Sequence, residues 1–318
     1  MKLDRALIDE LDSLVVGRRR ELEIILAALA AERHVLLEGP PGTGKSTLLR
    51  SVAGVAGAGF VFVEGNAELT PARLIGHFDP ARVMTDGYSP DVFVDGPLVR
   101  ALREGALLYV EEINRVPEET LNVLVSVMSE GELHVPRLGR VDAAEGFGLV
   151  AAMNPFDAVG TARISSAIYD RMCRVTMGYQ SADMESLVVE RAAPEADPTF
   201  VQRVVRVVRS SRDHHEVRIG SSVRGAIDLV RIADQLGPLR GEPADGPTVG
   251  LDAALAALSG RLRMVESTER RPDDLVRELW FAEFGREAEG DAGDDATSVG
   301  SNQPDDHTGV PEEQPGKG

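Results

Sequence analysis

A chain of 318 residues, 43% hydrophobic and 27% charged, has room for one large domain or two smaller ones, with a sizeable core. Its 52 acidic residues outweigh 34 basic ones and leave a formal net charge of -18, which argues against a nucleic-acid binder, since such a protein needs a basic face to displace counterions from phosphates. The one cysteine, Cys173, excludes an internal disulfide and fits a reducing compartment.

The first eleven residues alternate charged and apolar side chains, a pattern unlike a secretory signal. No stretch approaches the ~20 apolar residues that span a bilayer, so a soluble cytoplasmic protein without membrane contact is expected. Apolar spacing predicts helices over 3–14 and 18–31, then a short buried strand at 34–37, a Gly-rich turn, and a helix from Lys45. Further strands are predicted at 60–63, 107–110, 149–153 and 173–177, and a projecting hairpin at 132–141. Strands alternating with helices imply an α/β fold with a doubly wound, mostly parallel sheet. After Gln180 the strand signals stop. Helices are expected at 201–208, 223–232, 251–262 and 275–284, with a Gly- and Pro-rich loop over 237–250. The division that follows is 1–180 as the α/β part, 181–285 as a helical lid, and 286–318 as a disordered tail. The segment 287–316 holds nine acidic residues and no Lys or Arg, too little apolar surface to offset its ordering entropy.

The run Gly39-Pro40-Pro41-Gly42-Thr43-Gly44-Lys45-Ser46 fits the G-x-x-x-x-G-K-[ST] pattern between a strand and a helix. Its glycines let backbone N–H groups converge on phosphate oxygens, and the helix behind it aims its positive end at them. Lys45, one of only three lysines (Lys2, Lys45 and Lys317), reaches the β- and γ-phosphates. The Ser46 hydroxyl ligates Mg²⁺, and Thr47 is placed to touch the α-phosphate. ATP with Mg²⁺ is the expected ligand.

The strand at 107–110 ends in Glu111 and Glu112. In phosphate-loop ATPases one such acid supports the metal and its neighbour orients the attacking water. Glu111 stands where Asp is usual, and Glu112 where the general base is expected. Asn154, at the end of the fourth strand, can hold the water or touch the γ-phosphate. Arg171, just before the last strand, suits an arginine finger reaching a neighbouring subunit. Arg224 in the first turn of a helix opposes the helix dipole, a small cost that suggests a use toward phosphate.

Together these runs resemble the MoxR family of AAA+ ATPases: Val15-Val16-Gly17, GPPGTGKS (39–46), VDGPLVRALREGALLYVEEINR (94–115), AAMNPFDAVGT (151–161), YDRM (169–172) and GSSVRGA (220–226). The resemblance covers roughly residues 10–285. It implies a five-stranded parallel sheet with a helical lid, and subunits in a ring, commonly a hexamer. It makes Lys45 and Ser46 Walker A, Glu111 and Glu112 Walker B, Asn154 sensor 1, Arg171 the arginine finger and Arg224 sensor 2. Val15 and Val16 would line the adenine. The family's extra loop would fall around 70–97, with its tip near 93–97. The implied activity is chaperone-like remodelling, with a partner carrying a von Willebrand factor A domain and a client protein or metalloenzyme that is assembled or given its metal cofactor. Two departures stand out: Glu111 for Asp, and Thr161-Ala162-Arg163-Ile164-Ser165, which lacks the usual Pro and acidic residues. Two other classes compete: an AAA+ motor or loader acting on nucleic acid, and a monomeric nucleotide switch or small-molecule kinase.

Overall fold

The computed structural model describes residues 5–155 and 164–285. The expected disordered tail and most of the 161–165 departure lie outside the described residues. In chain order, α1 (Arg5–Leu14) and α2 (Arg19–Ala30) lead to β1 (His34–Glu38), α3 (Lys45–Ala56) and β2 (Phe60–Glu64). Then follow α4 (Pro71–Ile75), β3 (Gly76–Phe78), α5 (Pro80–Asp86), β4 (Phe93–Asp95), α6 (Pro97–Glu104) and β5 (Leu107–Glu111). Next come α7 (Glu118–Glu130), the hairpin β6 (Glu132–Val135) and β7 (Gly139–Asp142), β8 (Gly148–Met153), α8 (Ser166–Arg171) and β9 (Met172–Thr176). The remainder is α9 (Ala182–Ala192), α10 (Pro198–Asp213), β10 (Val217–Ile219), α11 (Val223–Arg240), α12 (Pro247–Leu258), β11 (Arg263–Met264) and α13 (Pro272–Phe284).

Five strands form one parallel sheet in the order β2-β5-β8-β1-β9. Central β8 is buried at every position, as expected of a strand covered by helices on both faces. Side-chain alternation sorts the strands into two apolar cores. Leu36, Leu108, Val110, Leu149 and Ala151 pack with Leu98, Leu102, Leu121 and Leu124. Val35, Leu37, Tyr109, Val150 and Ala152 pack with Leu22, Ile25, Leu48 and Val52 on the other face. A third core gathers Val201, Val204, Val208, Leu229, Val230, Ala254, Leu258 and Trp280 among the C-terminal helices. The α/β fold with a helical C-terminal part is therefore as the sequence implied. No helix among the described residues is long and apolar enough to cross a membrane.

Three expectations are corrected. Strand signals do not end at Gln180: β10 and β11 pair antiparallel, a ladder too short to show a period. The 237–250 loop is mostly helix, because Pro238 is carried inside α11 and Pro247 opens α12, a position that needs no N–H. The inserted segment folds back as β3 paired with β4, so the expected tip at 93–97 is instead the return strand 93–95 and the start of α6, and the tip is 79–92. Asp79 caps α5 there, accepting from the Ala81 and Arg82 amides.

Candidate functional site

The phosphate loop joins β1 to α3 at the carboxyl edge of the sheet, where open α/β sheets place their ligands. Gly42 and Gly44 have φ of +77° and +85°, a backbone region that side chains resist. At Gly42 there is also no room: a Cβ would stand 2.2 Å from Ser222 Oγ, the residue that precedes α11. The loop is thereby pressed against the start of the helix that carries Arg224.

Lys45 is buried, and its ammonium donates to the Gly39 and Pro40 carbonyls at 2.8 and 2.9 Å. Burial pulls its pKa down to about 8; Glu111 and Glu112 act the other way, and Arg224 and Arg18 lower it further. Three cations and two carboxylates therefore share this small space. Ser46 Oγ donates to Glu111 Oε1 at 2.7 Å and lies 3.3 Å from the Tyr109 hydroxyl. Burial also drives the Tyr109 phenol upward, so it stays protonated.

Alternation along β5 turns Glu111 toward Ser46. Glu112 breaks that alternation: its φ of +53° is in the left-handed region, at a strain of roughly 1–3 kcal/mol. Its carboxylate pairs with Arg115 Nε at 3.1 Å. A cavity of about 110 Å³ is lined by Lys45, Ser46, Glu111, Glu112, Asn154 and Arg224 with residues of the loop. Beside it a larger space of about 430 Å³ is walled by Leu14, Val15, Val16, Val188, Val223 and Ile227, and Thr47 reaches it from α3. An apolar slot joined to a polar, cation-rich recess suits a base and its phosphates.

Lys45, Ser46, Glu111, Glu112, Asn154 and Arg224 thus meet in one cavity with Pro41 to Gly44, and Val16 and Thr47 line the neighbouring space; Gly39 and Pro40 line neither, and their carbonyls accept from Lys45. Arg171 does not line this cavity: it ends α8, where its Nε donates to Ser129 Oγ at 2.6 Å and its Nη1 to the Ala167 carbonyl at 3.1 Å.

Sequence reasoning missed Arg18, one of three successive arginines whose different directions nothing in the sequence reveals. Arg18 is buried; it donates to the Thr43 carbonyl in the loop at 3.0 Å and to the Gly178 carbonyl at 2.7 Å, and pairs with Glu21 at 2.9 Å. It ties the phosphate loop to the chain leaving β9. Gln180 was missed too; its amide donates to the Val16 carbonyl at the mouth of the apolar slot. Glu185 is a third: it is buried on α9 between Arg209 and Arg212, and Arg212 also donates to the Ser221 carbonyl just before α11. Among the described residues no cluster of three or more His, Cys, Asp or Glu could hold a metal by itself.

Residues 34–172 match the AAA domain of the dynein-related subfamily. An uncharacterized protein of Staphylococcus epidermidis is 30% identical over 213 residues, 65% of this chain and 80% of that protein. The uncharacterized protein YeaC of Bacillus subtilis is 29% identical over 254 residues, 71% of this chain and 76% of its own length. The gas vesicle ATPase GvpN1 of Halobacterium salinarum is 30% identical over 205 residues, 59% of each. Among solved structures, the RuvB Holliday junction branch migration motor of Thermotoga maritima aligns with a TM-score of 0.52 at 18% identity, covering 79% of this chain and 73% of that one. A protein from Cytophaga hutchinsonii aligns at 0.50 and 19%, covering 86% and 92%. At such identities the structural likeness establishes the fold alone.

Proposed function

Because the chain belongs to the AAA family of phosphate-loop ATPases and hydrolyses ATP, we propose that it is a MoxR-type ring machine whose turnover remodels or assembles a protein client. The observation that carries the reading is the single cavity where Lys45, Ser46, Glu111, Glu112, Asn154 and Arg224 converge. In this reading residues 1–180 bind the nucleotide and 181–285 close over it as a lid; the separate apolar core of the C-terminal helices supports that division.

Each residue then has a task. The loop amides of 39–46 and the Lys45 ammonium hold the β- and γ-phosphates. The Ser46 hydroxyl and Glu111 carboxylate are hard oxygen donors of the kind magnesium takes, and they already lie together. Bound there, magnesium would offset negative charge on the β- and γ-phosphate oxygens. Glu112 takes a proton from the water that attacks the γ-phosphorus as the bond to the β–γ bridging oxygen breaks, yielding ADP and phosphate. Asn154 orients that water. Val16 borders the base, Thr47 borders the α-phosphate, and Arg224 couples phosphate to the lid helix.

Arg171 supplies its charge to the neighbouring subunit's site. Its position at the end of α8, away from its own chain's cavity, supports a role in trans. The partner with a von Willebrand factor A domain and the client or metalloenzyme rest on the family resemblance. A nucleic-acid motor is disfavoured by the net charge of -18.

Sedimentation with ATP and steady-state turnover test the proposal together. The ring reading expects a hexamer-sized species, with Arg171→Ala binding ATP but losing turnover by about 10³-fold or more. A strict monomer that hydrolyses ATP, or an Arg171→Ala variant as active as wild type, would refute it. ATP turnover stimulated by DNA would favour the motor instead.

A further inference from the structure

Tyr109 stands where the metal-holding pair meets the sheet. It is fully buried on β5, two residues before Glu111, so the two side chains rise from the same face. Its hydroxyl is 3.3 Å from Ser46 Oγ, while Ser46 Oγ donates its hydrogen to Glu111 Oε1 at 2.7 Å. A serine hydroxyl has one hydrogen to give. With that hydrogen on Glu111, the phenol is the donor, and it reaches the same pair, Ser46 Oγ and the Glu111 carboxylate, so the three groups form one hydrogen-bonded cluster.

The phenol cannot swing away. Its ring packs against Phe60 and Phe62 of β2, with centroids 6.1 and 5.7 Å away. Phe62 is its register partner across the two strands. Arg50 lies over both phenylalanine rings, at 5.5 and 5.4 Å from their centroids. This bracing matters because Glu111 carries one more rotatable bond than the Asp usual at this strand end. Each such bond adds conformations that must be frozen to hold the carboxylate in one place.

We propose that Tyr109 is a positioning residue of the metal-holding pair: its braced hydroxyl fixes Ser46 and the longer carboxylate of Glu111, and Tyr109 with Glu111 replaces a single Asp. The inference rests on the reading above in which Ser46 and Glu111 hold magnesium. Glu111→Asp, which restores the usual residue, withdraws the carboxylate by about one C–C bond, ~1.5 Å, from the Ser46 hydroxyl that Tyr109 keeps in place. The usual residue is therefore the wrong one here.

The test uses the full chain and a fluorescent ADP analogue, titrated in EDTA and then in rising magnesium chloride. Tyr109→Phe keeps the ring and loses only the hydroxyl. Its affinity in EDTA should match wild type, which also reports an intact fold, because the loop amides and Lys45 are untouched. Its magnesium midpoint should rise about tenfold or more, the usual cost of losing a group that orients a metal ligand. Glu111→Asp should raise the midpoint as well. The double variant should fall short of the product of the two effects, since both act on one hydrogen-bonded cluster. A Tyr109→Phe midpoint equal to wild type, or a Glu111→Asp midpoint below it, overturns the inference and leaves the metal pair standing. A wild type whose affinity ignores magnesium overturns the metal pair, and this inference with it.

Discussion

Removing the Arg18 guanidinium should loosen the phosphate loop and the fold together. Arg18 and Glu21 pair at 2.9 Å with side-chain exposures of 6% and 14%, and Arg18 also serves the Thr43 and Gly178 carbonyls. Taking one partner from a buried pair costs about 3–5 kcal/mol, because the other charge is left uncompensated. The two carbonyls lose a donor as well, at ~1–3 kcal/mol for each that water cannot reach. These contributions share one guanidinium and do not simply add. We predict a loss of about 3–5 kcal/mol for Arg18→Ala, a large part of the ~5–15 kcal/mol typical of a folded protein. For a chain of this size that is a fall in thermal midpoint on the order of 10 °C. The assay is thermal and urea unfolding of Arg18→Ala, of Glu21→Leu, and of the double variant. The double variant should recover part of the loss, since no stranded carboxylate remains. A loss under about 1 kcal/mol for Arg18→Ala would refute the reasoning, placing Arg18 among the exposed pairs that contribute little.

Lys45 gives a pH dependence. Burial holds it at about 8, and bound phosphates favour its charged form, so nucleotide binding above pH 8 takes up a proton. Affinity should fall by up to ~tenfold from pH 8 to 9; calorimetry in two buffers of different ionisation enthalpy should show that uptake, and a flat profile would count against it. Without nucleotide the sign reverses: the unfolded chain holds more protons between pH 8 and the ordinary lysine value of ~10.4, so stability from this group rises with pH across that window. Gly42→Ala places a methyl 2.2 Å from Ser222 Oγ at a φ of +77°. Strain of roughly 1–3 kcal/mol should appear as a matching loss of stability in urea unfolding, and unchanged stability would show that the loop is not seated against α11.

Much of this was legible in the sequence. The phosphate loop needs a fixed spacing of glycines, a lysine and a hydroxyl, and spacing survives in a string of letters. The buried strands also read well, because strands covered on both faces are continuous apolar runs. The short ladder of β10 and β11 carried no period, and Pro238 looked like a helix end while lying inside α11. Arg18 and Glu185 were invisible for a different reason. A buried charge is recognised by partners far along the chain, such as Gly178 for Arg18, and no local pattern announces a contact across 160 residues. Tyr109 read as one more apolar strand residue, because its hydroxyl gains meaning only beside Ser46, 63 positions away.

We propose that Glu112, held in a left-handed conformation at the end of β5, is the base that activates water for a nucleotide seated on the loop. The direct measurement is the ATP turnover of Glu112→Gln alongside the nucleotide that remains bound after gel filtration with ATP and magnesium. A neutral amide of the same size should leave binding intact, slow hydrolysis by at least ~10², and retain ATP rather than ADP on the protein. Hydrolysis at the wild-type rate, or ADP recovered from the variant as from wild type, would contradict the account.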